Sequence, residues 1–381
     1  LLAALRGTTH LHSARPCRGP FLWRATEWWP AVSIQTVENT LYIMAQGAYA
    51  HLDNDTVRID IERETKLRVP LHHVGALVCF GNVLVSPFLM HRCADEGKVL
   101  VLLSQSGRFK ARLEGPVSGN VLLRQAQHRR SMDQAAGAEF CIAVARSCIA
   151  GKLKNSRQVL QRGARESTRE EDGAALAACA TELGRALARL EHAADLHAVR
   201  GIEGDAAKRY FAALQWVVRP EARADFAMNG RTRRPPLDRM NALLSFLYAM
   251  LMNDVRSAVE SVGLDPQIGF LHAVRPGRAA LALDLMEEFR PLMADRLALT
   301  LINRRQIGID DFVDRPGGAV TLKEDARKMV VTAYQERKQE KLTHRLLGTG
   351  IALGLAPFIQ ARLLARTVRG DVAAYLPFCP K

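Results

Sequence analysis

No stretch of the 381-residue chain approaches the roughly 20 uninterrupted apolar residues that a membrane-crossing helix needs, because Arg, Asp or Glu breaks every candidate. Cysteine pairing is also missing. The seven cysteines (17, 79, 93, 141, 148, 179 and 379) show no CxxC spacing and no cysteine–histidine cluster. That excludes a zinc ribbon or a disulfide framework and fits reduced thiols in the cytoplasm. There is no P-loop. GTGIALG at 348–354 has the wrong spacing for a dinucleotide turn and no strand pattern ahead of it, so nothing in the sequence points to ATP or a dinucleotide. Acid is scarce: 39 Asp and Glu face 53 Lys and Arg, a formal net charge of +14. The commonest soluble partner of such a field is a nucleic-acid backbone.

What is present divides into parts. With 48% hydrophobic residues the chain can bury a substantial core, and its length suits two domains. Residues 1–37, with the cluster FLWRATEWWP, read as an N-terminal extension preceding the first regular pattern. From 38 to 125 short β-branched runs (LYIMAQGAYAHLD, TVRIDIE, KLRVPLHHVGALVCFG, NVLVS, VLVLLS, RFKARLEG) are broken by Gly, Asn-Asp and Pro. TVRIDI alternates as a half-buried strand should. SPFLMHRCADEG predicts a helix between two strands. From 126 to 381 the period shifts to 3.6 residues, as in DGAALAACATELGRALARLEHA, with RGARESTREEDG (162–173) as an exposed connection. The expected fold is α+β: a small N-terminal β domain followed by a larger all-helical domain.

The stretch GFLHAVRPGRAALALDLMEEFRP (269–291) raises the chemical question. Asp284, Glu287 and Glu288 fall at i, i+3 and i+4, on one helix face, with Leu285, Met286 and Phe289 opposite. Two readings stand: a solvated acidic face, or a metal site completed by His272. A second segment, RGIEGDAAKRYF, places Glu203 between Gly201 and Gly204, where bare backbone admits a ligand. The alternative is a helix-start carboxylate interacting with the dipole. Carboxylates with one imidazole suit Mg²⁺ or Mn²⁺, and the lack of cysteine ligands argues against zinc.

Together these motifs resemble a known family, the CRISPR-associated adaptation integrase (CRISPR-associated protein one), and its subtype I-C members in particular. The likeness rests on NTLYIMAQGAYAHLD, GIEGDAAKRYF, PPLDRMNALLSFLYAMLMNDV (235–255), the 269–291 stretch with INRRQI after it, and TAYQERKQEKLTH (332–344). It spans about 40–380. The resemblance implies a β domain making dimer and partner contacts, and a helical catalytic domain. It implies a divalent ion held by Glu203, His272 and Glu287, with Asp284 beside them in the catalytic group. Many relatives carry aspartate at the third position. Glu287 and Asp284 therefore both stand as candidates for direct ligation. A serine common in the family near position 279 is alanine here.

The implied reaction is attack of a DNA 3′-hydroxyl on a phosphodiester at the edge of a CRISPR repeat, which inserts a spacer. One phosphodiester replaces another, so no nucleotide is hydrolysed. A histidine ligates only as neutral imidazole, so acid should weaken the site. Lys208, Arg209, Arg231, Arg233 and Arg234 are candidates for phosphate contact, and 335–345 supplies further cations; solvated faces are the plain alternative. Asn241 and Tyr248 are expected beside the active centre, Tyr248 either as core aromatic or as DNA contact. Implied partners are duplex DNA (prespacer and repeat), a second copy of the chain, a dimer of the smaller CRISPR-associated protein two and a Cas4-type nuclease, in a prokaryotic cytoplasm. The competing readings are a DNA-binding scaffold without catalysis and a branched-DNA repair nuclease.

Overall fold

The computed structural model describes residues 39–380 except 106, 108, 114, 116–119, 133–135 and 233–234. The expected extension at 1–37, and the phosphate contacts expected of Arg233 and Arg234, lie outside the described residues.

The strand signals of the N-terminal half become eight strands: β1 Asn39–Ile43, β2 Ala48–Asp53, β3 Thr56–Ile61, β4 Glu64–Pro70, β5 Val74–Phe80, β6 Val83–Val85, β7 Val99–Leu103 and β8 Phe109–Leu113. The predicted helix, α1 (Pro87–Asp95), precedes β7 and starts at Ser86, whose hydroxyl accepts from the Leu89 amide. Two four-stranded sheets result, in the orders β4-β3-β2-β6 and β1-β5-β7-β8. In the second, β1, β5 and β7 run parallel and β8 antiparallel.

β5 explains how this sheet connects to the rest of the protein. Its run VGALVCF is apolar on both faces, as a strand covered on both sides must be. Leu77 and Cys79 enter a core with Ala50, Val57, Ile59, Leu89 and Leu100. Val78 and Phe80 turn the other way, joining the large helical core together with Val101 and Leu103. Phe80 meets Phe246 there, ring centroids 6.0 Å apart.

The C-terminal half is mainly helical: α2 Val121–Met132, α3 Ala136–Glu166, α4 Glu170–Glu191, α5 Leu196–Val217, α6 Pro220–Arg223, α7 Arg239–Ser261, α8 Ala280–Met286, α9 Arg296–Asn303, α10 Glu324–Gln339 and α11 Ala356–Arg369. It departs from the all-helical expectation in two short antiparallel pairs, β9 (Phe312–Asp314) with β10 (Val320–Leu322), and β11 (Lys341–Thr343) with β12 (Gly350–Ala352). β11 precedes GTGIALG, which therefore closes a hairpin. The connection expected over 162–173 shrinks to 167–169, because the charged residues flanking it extend α3 and α4 on exposed faces. Between α8 and α9 the chain makes a turn and then a π-helical segment, Arg290–Asp295, a form that is rare and concentrates at functional sites. No helix among the described residues is long and apolar enough to cross a membrane.

Candidate active site

Four elements bring together the carboxylates singled out by the sequence. Asp195 caps α5, its side chain accepting from the Ala198 amide at 2.7 Å, and Glu203 follows two turns later. The loop from α7 to α8 carries His272. α8 carries Asp284 and ends at Glu287, and α3 contributes Lys152.

Asp284 organises the histidine loop. One of its oxygens, Oδ2, accepts from the Phe270 and Leu271 amides at 2.6 and 2.9 Å; Oδ1 accepts from the His272 amide at 2.9 Å and lies 2.7 Å from His272 Nδ1. An ionised carboxylate only accepts, so Nδ1 carries the proton and Nε2 becomes the nitrogen open to a ligand. The close fit depends on Gly269: a Cβ there would lie 2.8 Å from both Ala280 Cβ and Asp284 Oδ2. Arg200 on α5 donates through Nε to the Leu271 carbonyl at 2.9 Å, fastening the Glu203 helix to this loop.

Glu287 is only 3% exposed. Burial would raise its carboxyl, but Arg290 and then Lys152 outweigh this and hold it at about 2. Arg290 lies 3.0 Å from its Oε1 and Lys152 Nζ 2.8 Å from its Oε2. The same ammonium bonds Glu203 Oε1. Carboxylates from α5 and from the end of α8 therefore face one cation. This geometry separates the two candidates for the third ligand: Asp284 is spent on backbone and imidazole, whereas Glu287 faces Glu203. Among the described residues no three His, Cys, Asp or Glu side chains close into a cluster that could hold a metal ion in this conformation. The donors nevertheless fit an oxygen-preferring divalent ion, two carboxylates and one oriented imidazole where positive charge is already stabilised.

Glu288 overturns an expectation. Of the two readings of the acidic face, the solvated one fails at this carboxylate, which is fully buried. It accepts from the Tyr375 hydroxyl (2.5 Å), the Phe378 amide (2.6 Å) and Gln360 Nε2 (3.2 Å), and burial pushes its carboxyl up to about 7. All three carboxylates of 284–288 lie inside the protein. Amphipathic spacing cannot distinguish an acidic face turned to solvent from one turned to buried donors.

The serine-to-alanine departure is accommodated. Ala279 precedes α8 without a side-chain cap. The amides that a serine would serve, of Leu281 and Ala282, already reach the Pro266 carbonyl at 2.9 and 3.4 Å.

Tyr248 packs against the helical core, as its core-aromatic reading expects. It is half-buried, and its hydroxyl is donated to Asp295 at 2.6 Å; Tyr210 donates to the other oxygen at 2.9 Å. Burial pushes the Asp295 carboxyl up to about 6 against these two bonds. The guanidinium groups of Arg231 and Arg290 lie 5.2 and 5.1 Å from the Tyr248 ring centroid. Asn241 is wholly buried, donating to the Gly230 carbonyl and to Asp238 and accepting from Arg231 and the Thr232 amide. Its side chain thus ties Gly230, Arg231, Thr232 and Asp238 to the start of α7. Arg231 is likewise engaged with Asn241 and Ser245. Lys208 and Arg209 are exposed on α5, Arg209 paired with Asp205 at 3.2 Å. A Cβ at Gly201 or Gly204 would meet nothing within 4 Å, so the α5 face that carries these glycines and Lys208 is open.

Sequence reasoning missed Lys152, Arg290 and Asp295. Lys152 left a signal: it interrupts the apolar stripe of α3, four residues after buried Cys148 and next to buried Leu153. A cation in such a position needs an anion opposite.

The sequence profile of the family described as "CRISPR associated protein Cas1" matches residues 41–336. The chain belongs to the Cas1 family. It is 56% identical over 340 residues to the "CRISPR-associated endonuclease Cas1 1" of Moorella thermoacetica, covering 89% of this chain and 98% of that one. It is 35% identical over 340 residues to the "CRISPR-associated exonuclease Cas4/endonuclease Cas1 fusion" of Geobacter sulfurreducens, covering 89% of this chain and 60% of the fusion. Among solved structures the fold is similar to a "Cas6-RT-Cas1--Cas2 complex" chain (TM-score 0.75, 22% identity, 92% of this chain and 37% of that one). A casposase bound to integration product is similar too (TM-score 0.74, 20% identity, 89% and 92%). Membership of the Cas1 family makes the protein a CRISPR-associated endonuclease, and the scaffold reading without catalysis is not favoured.

Proposed function

We propose that Glu203, His272 and Glu287 hold one divalent ion, Mg²⁺ or Mn²⁺, and that this centre joins a DNA 3′-hydroxyl to a phosphodiester at the border of a CRISPR repeat. The observation that carries the reading is the convergence of Glu203 and Glu287 on a single cationic position beside an imidazole already oriented by Asp284. When bound, such an ion polarises phosphoryl oxygens and stabilises the charge that develops on them. In the exchange the incoming 3′-oxygen forms a bond to phosphorus as the bond to the departing 3′-oxygen breaks, so phosphodiesters are conserved and no water is consumed. Asp284 keeps His272 in the tautomer that can ligate. Arg290 holds Glu287 ionised inside the protein.

The open face of α5 with Lys208 and Arg209 is the proposed approach for the DNA backbone; of the cations at 335–345, Arg337 and Lys338 are buried on Leu292 and Asp254, which leaves Lys341 and Arg345 exposed. The β-rich part, 38–125, is proposed to carry self-association and the contact with a Cas2-type dimer, ahead of the catalytic part, 126–381. Tyr49 and Leu84 are ladder partners on β2 and β6, and all of Tyr49, Leu84 and Phe88 are exposed, an apolar group suited to a protein partner. The Cas4/Cas1 fusion supports a Cas4-type nuclease as a further partner. A subtype I-C pathway in a prokaryotic cytoplasm completes the reading.

The test is strand transfer. With a Cas2-type partner and Mn²⁺ or Mg²⁺, the purified protein should insert labelled duplex ends into repeat DNA. Glu203→Ala should abolish insertion while leaving the thermal transition in place. Full insertion by that variant would overturn the ligand assignment, and cleavage of branched junctions without preference for repeats would favour the repair-nuclease reading.

A further inference from the structure

Lys152 is 6% exposed, on a helix stripe otherwise filled by Cys148, Ile149 and Leu153. Its ammonium bonds Glu203 Oε1 and lies 2.8 Å from Glu287 Oε2. Either component alone would be costly, a buried ammonium without an anion or two carboxylates facing each other without a cation.

The backbone around Lys152 is clamped. A Cβ on Gly151 would lie 2.8 Å from Pro377 Cβ and 3.0 Å from Glu288 Cγ, so α3 is packed directly on the segment that follows Glu287 and on the C-terminal tail. One turn on, Asn155 donates to the carbonyls of Glu288 and Phe378, both at 2.8 Å. Movement of the ammonium would therefore fall to the four-carbon stem of Lys152, which has rotatable bonds throughout. The two carboxylates differ in access, since the side chain of Glu203 is 28% exposed and that of Glu287 only 3%. A cation entering or leaving therefore passes on the Glu203 side, the more exposed of the two. Glu287 would not be stranded, because Arg290 stays 3.0 Å from its other oxygen.

We propose that Lys152 is the resident counter-ion of this site: its ammonium fills the place between Glu203 and Glu287 in the metal-free protein, and a divalent ion must displace it to bind. The inference rests on the reading of Glu203 and Glu287 as metal ligands. Metal loading is then a competition with an internal cation. Lysine suits the role because its charge is compact and its stem flexible, whereas the planar fork of arginine would pair bidentately and leave less readily. The arrangement also keeps two ligands from different helices in position before any metal arrives.

The experiment uses the full chain, with Mn²⁺ binding followed by calorimetry and thermal unfolding recorded in chelator and in Mn²⁺, for wild type, Lys152→Met, Lys152→Arg and Glu203→Gln. Lys152→Met should melt lower than wild type in chelator and gain more from Mn²⁺. It should bind Mn²⁺ about tenfold more tightly, because the metal no longer displaces a buried cation. Lys152→Arg should keep the metal-free melting temperature and bind Mn²⁺ more weakly. If Lys152→Met is unfolded in chelator, its recovery in Mn²⁺ supports the proposal, and Lys152→Arg with wild-type Mn²⁺ affinity overturns it. Wild-type or weaker affinity in a folded Lys152→Met overturns the competition alone, provided Glu203→Gln has lost Mn²⁺ binding. Absence of Mn²⁺ binding in every protein overturns the ligand assignment and the competition together.

Discussion

Asp284 grips His272 twice, through the backbone amide at 2.9 Å and the ring Nδ1 at 2.7 Å, both on the same oxygen. An amide in place of that carboxylate presents NH₂ where an acceptor is needed, so Asp284→Asn should leave the His272 amide unpaired and move the ring proton to Nε2. Stability should fall by about 1–3 kcal/mol for the buried unpaired group. Mn²⁺ affinity should drop about 10- to 100-fold, the usual range for a residue that orients a metal-binding histidine. Thermal denaturation and a binding isotherm read the two effects separately, and wild-type values in both would remove Asp284 from this role.

Glu288 sets a pH dependence of stability. Burial raises its carboxyl from the ordinary 4.5 to about 7, so the folded protein binds this proton more tightly than the unfolded chain does. The associated stability is complete below about pH 4.5 and is lost as pH rises through about 7. Asp295, raised to about 6, acts in the same direction. Glu287, held at about 2, acts in the opposite direction, its contribution disappearing only in strong acid. Glu288→Gln should flatten the decline between pH 5 and pH 7.5 by roughly 1–3 kcal/mol. Urea unfolding at the two pH values measures it, and an unchanged slope would assign the decline elsewhere.

Lys208 and Asn241 should separate in DNA binding. Lys208 is exposed beside the open α5 face. Its replacement by alanine should weaken binding to all duplex sequences alike and lower the salt slope by about one. Asn241→Ala should act on folding, because four hydrogen bonds, with Gly230, Arg231, Thr232 and Asp238, pass through its amide. A loss of about 2–4 kcal/mol is expected from the buried partners left unmatched. Salt-dependent anisotropy and chemical denaturation distinguish the two; a large salt-slope change in Asn241→Ala would place it against DNA after all.

The exposed apolar residues of β6 and α1 give a fourth expectation. Leu84→Glu combined with Phe88→Glu should shift the protein toward monomer in sedimentation, with the melting temperature unchanged because both side chains are exposed. An unaltered oligomeric distribution would move self-association to another surface.

The β half was legible almost strand by strand, because alternation and turn residues are local signals, and TVRIDI became β3 without shift. The resemblance pointed to Glu203, His272 and Glu287, and the two carboxylates of that set do face one position. Partnership was not legible. Nothing in the spacing DLMEE says that Asp284 meets three backbone amides, Glu287 two cations and Glu288 a tyrosine, an amide and a glutamine, since those partners come from as far away as Lys152 and Phe378. The π-helical segment after Arg290 was equally hidden, because the apolar residues around it continue a helical pattern.

β5 contributes alternate side chains to two different cores. It is therefore a party wall between the halves of the molecule. Cutting the chain after β8 would turn Val78, Phe80, Val101 and Leu103 from interior lining into a greasy outer face. The β half in isolation should be adhesive and poorly soluble, and each half should depend on the other to reach its native state.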